Sequence, residues 1–196
     1  MTYCVGIKVN DGMVFASDRR TNAGLDNFNS YTKMYVHKGV DRNIVILTSG
    51  NLATSQAVFN SIGKDLEDPT NGNNLNNLYN MNEIAKYIGR LTVMHSSPDG
   101  FNQEMVELGS TFILGGHIQS QEQELYLIYP QGNFIKTSET KPYLVIGEIK
   151  YGKPILDRVV KSETDLGDAT RCALISMDST MKADLSVGPP HRCTSL

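Results

Sequence analysis

Over the first fifty residues the apolar side chains fall in short runs. Residues 3–9 and 13–17 are rich in Val, Ile, Tyr and Phe, with Asn10-Asp11-Gly12 between them, and Asp-Gly is a strong hairpin signal. The chain therefore starts inside a sheet. Residues 33–37 and 43–48 read as a second strand pair, joined through Lys38-Gly39-Val40-Asp41. Within it, the unbroken run Ile44-Val45-Ile46-Leu47 predicts a strand buried on both faces.

The period then changes. Leu52, Phe59, Ile62 and Leu66 are spaced by seven, three and four, which predicts an amphipathic helix from near Asn51, ended by Pro69. Residues 70–80 hold six asparagines and read as a surface loop too polar to pack. Met81, Ile84, Ala85, Ile88, Leu91 and His95 share one face of a second helix, expected beside the first on one sheet face. After Pro98-Asp99-Gly100, segments 109–117, 124–129, 133–137 and 142–146 predict more strands. Residues 154–160 and 166–182 read as helices, the latter with Leu166, Ala169, Ala173, Met177 and Met181 on one stripe. With no linker or repeat, this order predicts one compact α+β domain, with two sheets or one large sheet covered by helices on more than one face.

Composition narrows the function. The 196 residues carry 18 Lys and Arg against 21 Asp and Glu, a net charge of −3, which excludes a polycation that holds nucleic acid by bulk charge. No apolar run approaches the roughly 18 residues that cross a bilayer. The first twenty residues, interrupted by Lys8, Asp11 and Asp18, do not form a secretory signal. The expectation is a cytoplasmic protein without a membrane or nucleic-acid partner. Cys4, Cys172 and Cys193 are odd in number and widely spaced, and the four histidines are scattered, so neither disulfide nor metal nor other cofactor is expected.

The candidate chemistry lies at the N-terminus. Removal of Met1, which precedes the small residue Thr2, would leave a hydroxyl and a free α-amine on one residue. An α-amine of ordinary pKa, about 7.7–8.0, can act as the base for that hydroxyl near neutral pH. Such a device needs a cation, a carboxylate to hold the cation and an N–H to meet an oxyanion. Asp18 ends the second predicted strand, Lys33 begins the third, and Thr48-Ser49-Gly50 closes the fourth just before a helix. All four positions therefore lie at strand ends that one pocket can bring together. A rival reading, a phosphate loop in Gly147-Glu-Ile-Lys-Tyr-Gly152-Lys153, is set aside because Pro154 stands where Ser or Thr would hold magnesium. Cys4 and Cys172, in a predicted strand and on a helical stripe, read as buried apolar residues, and His95 as a structural histidine.

The segments TYCVGIKVNDGMVFASDRRTNAG, YTKM and ILTSGNLATSQAV resemble the Anbu family of bacterial proteasome homologues, from residue 2 to about Pro190. The resemblance implies a four-layer αββα N-terminal-nucleophile hydrolase sandwich. It also implies a threonine peptidase that cleaves peptide bonds through an acyl-ester on Thr2. Asp18 would anchor Lys33, Lys33 would tune nucleophile and amine, Gly50 would supply the oxyanion N–H, and Arg20 would brace Asp18. Homo-oligomers, as a ring or open spiral, are implied, with an unfoldase or regulator as a further partner. The alternative is a proteasome-like assembly or binding protein that turns over slowly or not at all.

The sequence departs from the family at two places. Where proteasome subunits carry Gly-Ser-Gly, this chain has Gly147-Glu148-Ile149, and a glutamate there would pair with Lys33 or raise the pKa of the amine. Asp184 and Ser186 match the later supporting Asp and Ser at a different spacing. The family continues past Gly-Pro-Pro into further strands, whereas residues 191–196, HRCTSL, look unlike it. The expectation is a single domain, 1–196, lacking the family's C-terminal part, with an exposed sheet edge and a smaller core.

Overall fold

The computed structural model describes residues 1–22, 28–96 and 108–196, with the side chains of 22, 28 and 29 set aside. The first strands are β1 (Tyr3–Val9) and β2 (Gly12–Asp18), a hairpin in which Val9 opposes Gly12 and Asn10-Asp11 make the turn. Next come β3 (Arg20–Asn22) and β4 (Phe28–Ser30), a small antiparallel pair absent from the sequence prediction, then β5 (Met34–Lys38) and β6 (Arg42–Gly50). Helices α1 (Leu52–Glu67) and α2 (Met81–Ser96) precede β7 (Ser110–Ile118), β8 (Glu124–Ile128), β9 (Phe134–Lys136) and β10 (Tyr143–Gly147). The chain closes with α3 (Lys153–Val159), α4 (Leu166–Ala183) and β11 (His191–Ser195).

Two antiparallel sheets result, in the orders β10-β1-β2-β11 and β5-β6-β7-β8-β9. Strand alternation divides the apolar residues into three cores. Cys4, Met13, Phe15, Val45, Leu47 and Ile113 meet between the sheets. Ile44, Ile46, Phe112 and Leu114 face outward against Ile62, Ile84 and Ile88 of α1 and α2. Tyr3, Val5, Ile7 and Val14 face outward from the other sheet against Leu156, Ala169, Ala173 and Met177 of α3 and α4. Both faces of β6 are thus buried, as its continuous apolar run predicts. The layers stack helix, sheet, sheet, helix, the expected αββα sandwich. Cys4 is fully buried, and burial pushes its thiol pKa well up, in line with a core role.

Two sequence expectations are corrected. The residues beyond Gly188-Pro189-Pro190, expected to leave a sheet edge bare, add β11 to β2, with His191 opposite Asp18 and Ser195 opposite Val14, so β2 is paired and the exposed edge passes to β11 itself. The Asn-rich segment is also not merely surface. Leu75 is fully buried in the outer core, and Asn74, 4% exposed, knits the loop together. Its amide donates to the Asp65 and Asn71 carbonyls, and its oxygen accepts from the N–H groups of Asn76 and Asn77. Such a segment packs because one side chain satisfies its turning backbone. Asn74→Leu, which keeps the volume and removes every one of these bonds, is expected to cost about 1–3 kcal/mol. At roughly 2–4 °C per kcal/mol for a chain of this size, the loss reads directly as a lower thermal midpoint. An unchanged midpoint would show that the loop is held by other means.

Candidate active site

The ends of β2, β5 and β6 meet the start of β1, and between them lies a cavity of about 330 Å³. Met1, Thr2, Arg20, Lys33, Thr48, Gly50 and Gly147 are among its lining residues. Thr2, Asp18, Lys33 and Gly50, widely separated in sequence, are therefore gathered at one end of the sandwich. Asp18 is fully buried and Lys33 6% exposed. The Lys33 ammonium donates to both carboxylate oxygens, at 2.8 and 2.9 Å, and to the carbonyl oxygen of Arg20 at 2.6 Å. Three acceptors on one ammonium fix its position.

Asp18 has a second task that residue periodicity does not reveal. Its Oδ1 accepts the backbone N–H of Tyr3 at 3.0 Å, so the carboxylate that holds Lys33 also pins the residue after Thr2. Burial pushes the Asp18 carboxyl pKa up, while the Lys33 charge, the Lys33 hydrogen bond and the N–H groups of Tyr3 and Gly188 pull against it. The Tyr3 phenol donates to Ser176 Oγ on α4 at 2.9 Å, and burial pushes its pKa up to about 12, so it is a neutral donor.

Two glycines make the cavity wall. Gly50 has φ +112°, and a Cβ there would sit 2.4 Å from the Gly109 carbonyl oxygen. Along β6 the Thr48 N–H donates to Lys33 O on the β5 side, while the Asn51 N–H donates to Gly109 O on the β7 side. Alternation of the ladder then sends the Gly50 N–H toward the β5 side, beyond the first residue of β5, where the cavity opens. Gly147, with φ +90°, lets β10 approach so closely that a Cβ would lie 1.9 Å from Thr2 O. The next N–H, of Glu148, donates to that same Thr2 oxygen at 2.7 Å.

Of the supporting residues Arg20 lines the cavity, and Asp184, Ser186 and Glu148 stand behind it. Arg20 holds Lys33 through its carbonyl, and its guanidinium donates to Leu185 O at 2.6 Å. Asp184 Oδ1 accepts from the Ser186 N–H and hydroxyl at 2.8 and 2.6 Å. Burial works against ionisation of Asp184, but the bonds from Ser186 and the nearby positive charges of the N-terminus and Lys150 outweigh it and hold its pKa below the ordinary value. Asp184 and Ser186 thus form the loop that meets Arg20 and do not line the cavity. Glu148 does not pair with Lys33. Its Oε1 accepts the Lys150 N–H at 2.9 Å, closing its own turn, while Lys33 is already committed to Asp18 and Arg20 O. Among the described residues no group of His, Cys, Asp or Glu is arranged to hold a metal ion, and no helix is long and apolar enough to cross a membrane.

Tyr3, Gly147 and the hydroxyl cluster beneath Gly50 complete the site without having been singled out by the sequence for these tasks. In that cluster Thr48 Oγ1 and Ser55 Oγ lie 2.7 Å apart, and Ser110 Oγ lies 3.2 Å from Ser55 Oγ. A Ser-Gly at a strand end followed by Asn51 as helix cap was the available signal, since Asn51 Oδ1 accepts the Thr54 N–H in α1.

Known proteins share both the sequence and this architecture. The proteasome subunit family matches residues 2–192. Proteasome subunit beta 1 of Saccharolobus islandicus is 35% identical over 86 residues, 44% of this chain and 34% of its own, so the match spans about a third of that relative. Anbu (ancestral beta-subunit) from Yersinia bercovieri superposes with a TM-score of 0.92 at 39% identity, over 99% of this chain and 81% of that one. The Anbu complex from Pseudomonas aeruginosa, solved as a helical assembly, gives 0.93 at 40% identity over 99% and 80%. The gathered threonine, aspartate, lysine and glycine, the αββα layers and these matches together place the chain in the proteasome subunit family, among its Anbu members.

Proposed function

We propose that this chain is an N-terminal threonine peptidase, armed by removal of Met1. The observation that carries the reading is the Lys33 ammonium, locked between both oxygens of buried Asp18 and the Arg20 carbonyl, in a cavity that Thr2 and Gly50 also line. Thr2 Oγ attacks the peptide carbonyl carbon and its proton passes to the Thr2 α-amine. The Gly50 N–H meets the oxyanion. The amine returns the proton to the leaving nitrogen, the C–N bond breaks, and an acyl-ester remains on Thr2. Water, deprotonated by the same amine, then releases the acid and restores the hydroxyl. Lys33 favours the deprotonated forms of both groups by its charge. The chemistry calls for no metal or organic cofactor.

Family membership supports a hydrolase of peptide bonds, and the helical assembly of the Pseudomonas aeruginosa relative supports a homo-oligomer. Intact mass combined with labelling by a peptide epoxyketone tests the mechanism on the purified chain. The expected result is a mass lacking Met1 and one adduct per chain, mapped to Thr2. Retained Met1, 63% exposed at the cavity mouth, would leave the amine on the wrong residue and sink the reading for that protein. Processed but unlabelled chains would point instead to an assembly protein.

A further inference from the structure

The hydroxyl cluster beneath Gly50 has a fixed polarity, because its protons can be counted. Ser55 Oγ, on α1, donates to Asn51 O at 2.9 Å, and Ser110 Oγ, on β7, donates to the same oxygen at 2.8 Å. A hydroxyl has one proton, so the 2.7 Å contact between Thr48 Oγ1 and Ser55 Oγ is made by the Thr48 proton. Thr48 Oγ1 is left with lone pairs alone, and among the described residues no other donor reaches them. Thr48 and Ser55 both line the cavity, only 4% and 3% exposed. Lys33, which shares that wall, spends its three ammonium protons on Asp18 and the Arg20 carbonyl and offers none to a ligand.

Resting on Thr2 as the nucleophile, we propose that this wall reads the side chain of the scissile residue, the one whose carbonyl is attacked. It selects a neutral side chain that carries a hydrogen-bond donor: serine, threonine, asparagine or glutamine. With the carbonyl carbon at Thr2 Oγ and its oxygen at the Gly50 N–H, the side chain leaves from the next atom. It therefore enters the space lined by Lys33, Thr48, Leu52 and Ser55. There a hydroxyl or amide donates to Thr48 Oγ1. An aliphatic side chain strips water from that oxygen without replacing the bond, and a carboxylate sets acceptor against acceptor. A lysine or arginine is placed beside the cations of Lys33 and Arg20, which line the same cavity.

Peptidyl-aminocoumarins that differ only at the scissile residue test this through kcat/KM. Threonine against valine and asparagine against leucine are close in shape and differ in the donor, whereas asparagine against aspartate sets donor against acceptor. The wild type is expected to favour threonine over valine, and asparagine over both leucine and aspartate, by about tenfold or more. Thr48→Val keeps the shape of the wall and removes the acceptor, so the threonine/valine and asparagine/leucine ratios should fall to about one or below. Should that variant fail to fold, Ser55→Ala reads the same wall. It removes the acceptor of the Thr48 proton, which then turns to the substrate, so the preference for asparagine over aspartate should shrink by about fivefold while threonine still exceeds valine. Where dye release is too slow to follow, labelling rates of epoxyketones with the same residue pairs should carry the same ratios. Equal or reversed ratios in the wild type, or ratios that Thr48→Val leaves unchanged, would overturn the specificity assignment and leave Thr2 as the nucleophile. A chain that cleaves no substrate and takes no epoxyketone on Thr2 fails at the earlier step, and both readings fall together.

Discussion

Thr2→Ala is expected to abolish hydrolysis of peptide substrates, by about ten-thousand-fold or more, while leaving fold and assembly unchanged. The reason lies in how little else the Thr2 side chain does. Its position is set by the backbone: Thr2 O accepts the Glu148 N–H, the Tyr3 N–H is held by Asp18, and β10 presses against it at Gly147. Alanine keeps all of these contacts. It also keeps the α-amine, since Met1 is removed as readily before Ala as before Thr. What disappears is the attacking oxygen alone, so the loss should fall on kcat, with peptide binding preserved. Thr2→Ser is the companion variant and should keep substantial activity, because a hydroxyl is restored in the same place. The check is single-turnover hydrolysis with N-terminal masses confirmed for each variant. An alanine variant that turns over at the wild-type rate would place the nucleophile elsewhere.

Much of this frame is visible in the one-dimensional pattern, for identifiable reasons. Strand β6 announces itself because both its faces are buried, so Ile44, Val45, Ile46 and Leu47 need no polar interruption. Helices α1, α2 and α4 each bury one stripe and show it as a 3.6-residue period. Thr2, Asp18, Lys33 and Gly50 could be proposed as a group since each ends or begins a strand, and strand ends on one side of a sandwich converge. What stayed hidden depends on the backbone or on distant partners. Any residue but proline could offer the N–H that Tyr3 gives Asp18, so its identity holds no trace of the bond. Leu75 looks like a lone apolar residue in a polar loop until Asn74 folds that loop inward. The β11 segment, HRCTS, has no alternation of its own and becomes a strand because β2 offers an unpaired edge. Glu148 looked like a partner for Lys33 by charge, but its own turn claims it through the Lys150 N–H two residues on.

Lys33→Met is expected to cost both catalysis and stability, and the two losses should separate with pH. Removing the cation takes away what favours the deprotonated amine and hydroxyl, so turnover at neutral pH should fall about a hundred- to ten-thousand-fold. The stability loss comes from Asp18, left fully buried with its principal counter-charge gone. Breaking a buried pair in this way costs about 3–5 kcal/mol. The carboxyl is already pushed up by burial against the pull of Lys33, and without that pull its folded pKa rises further above its unfolded value. For a carboxyl raised on folding, the penalty is present above the folded pKa and shrinks as pH falls toward the unfolded value near 3.9, because a neutral Asp18 needs no cation. The difference in thermal midpoint between Lys33→Met and wild type should therefore be largest near pH 7 and narrow steadily toward about pH 4. Asp18→Asn in the same background removes the charge altogether, and should recover much of the stability at pH 7 without recovering activity. A constant deficit across that pH range would mean that Asp18 is not the source of the loss. Restored stability without restored turnover separates the two tasks of Lys33, neutralising a buried carboxylate and tuning the N-terminal nucleophile.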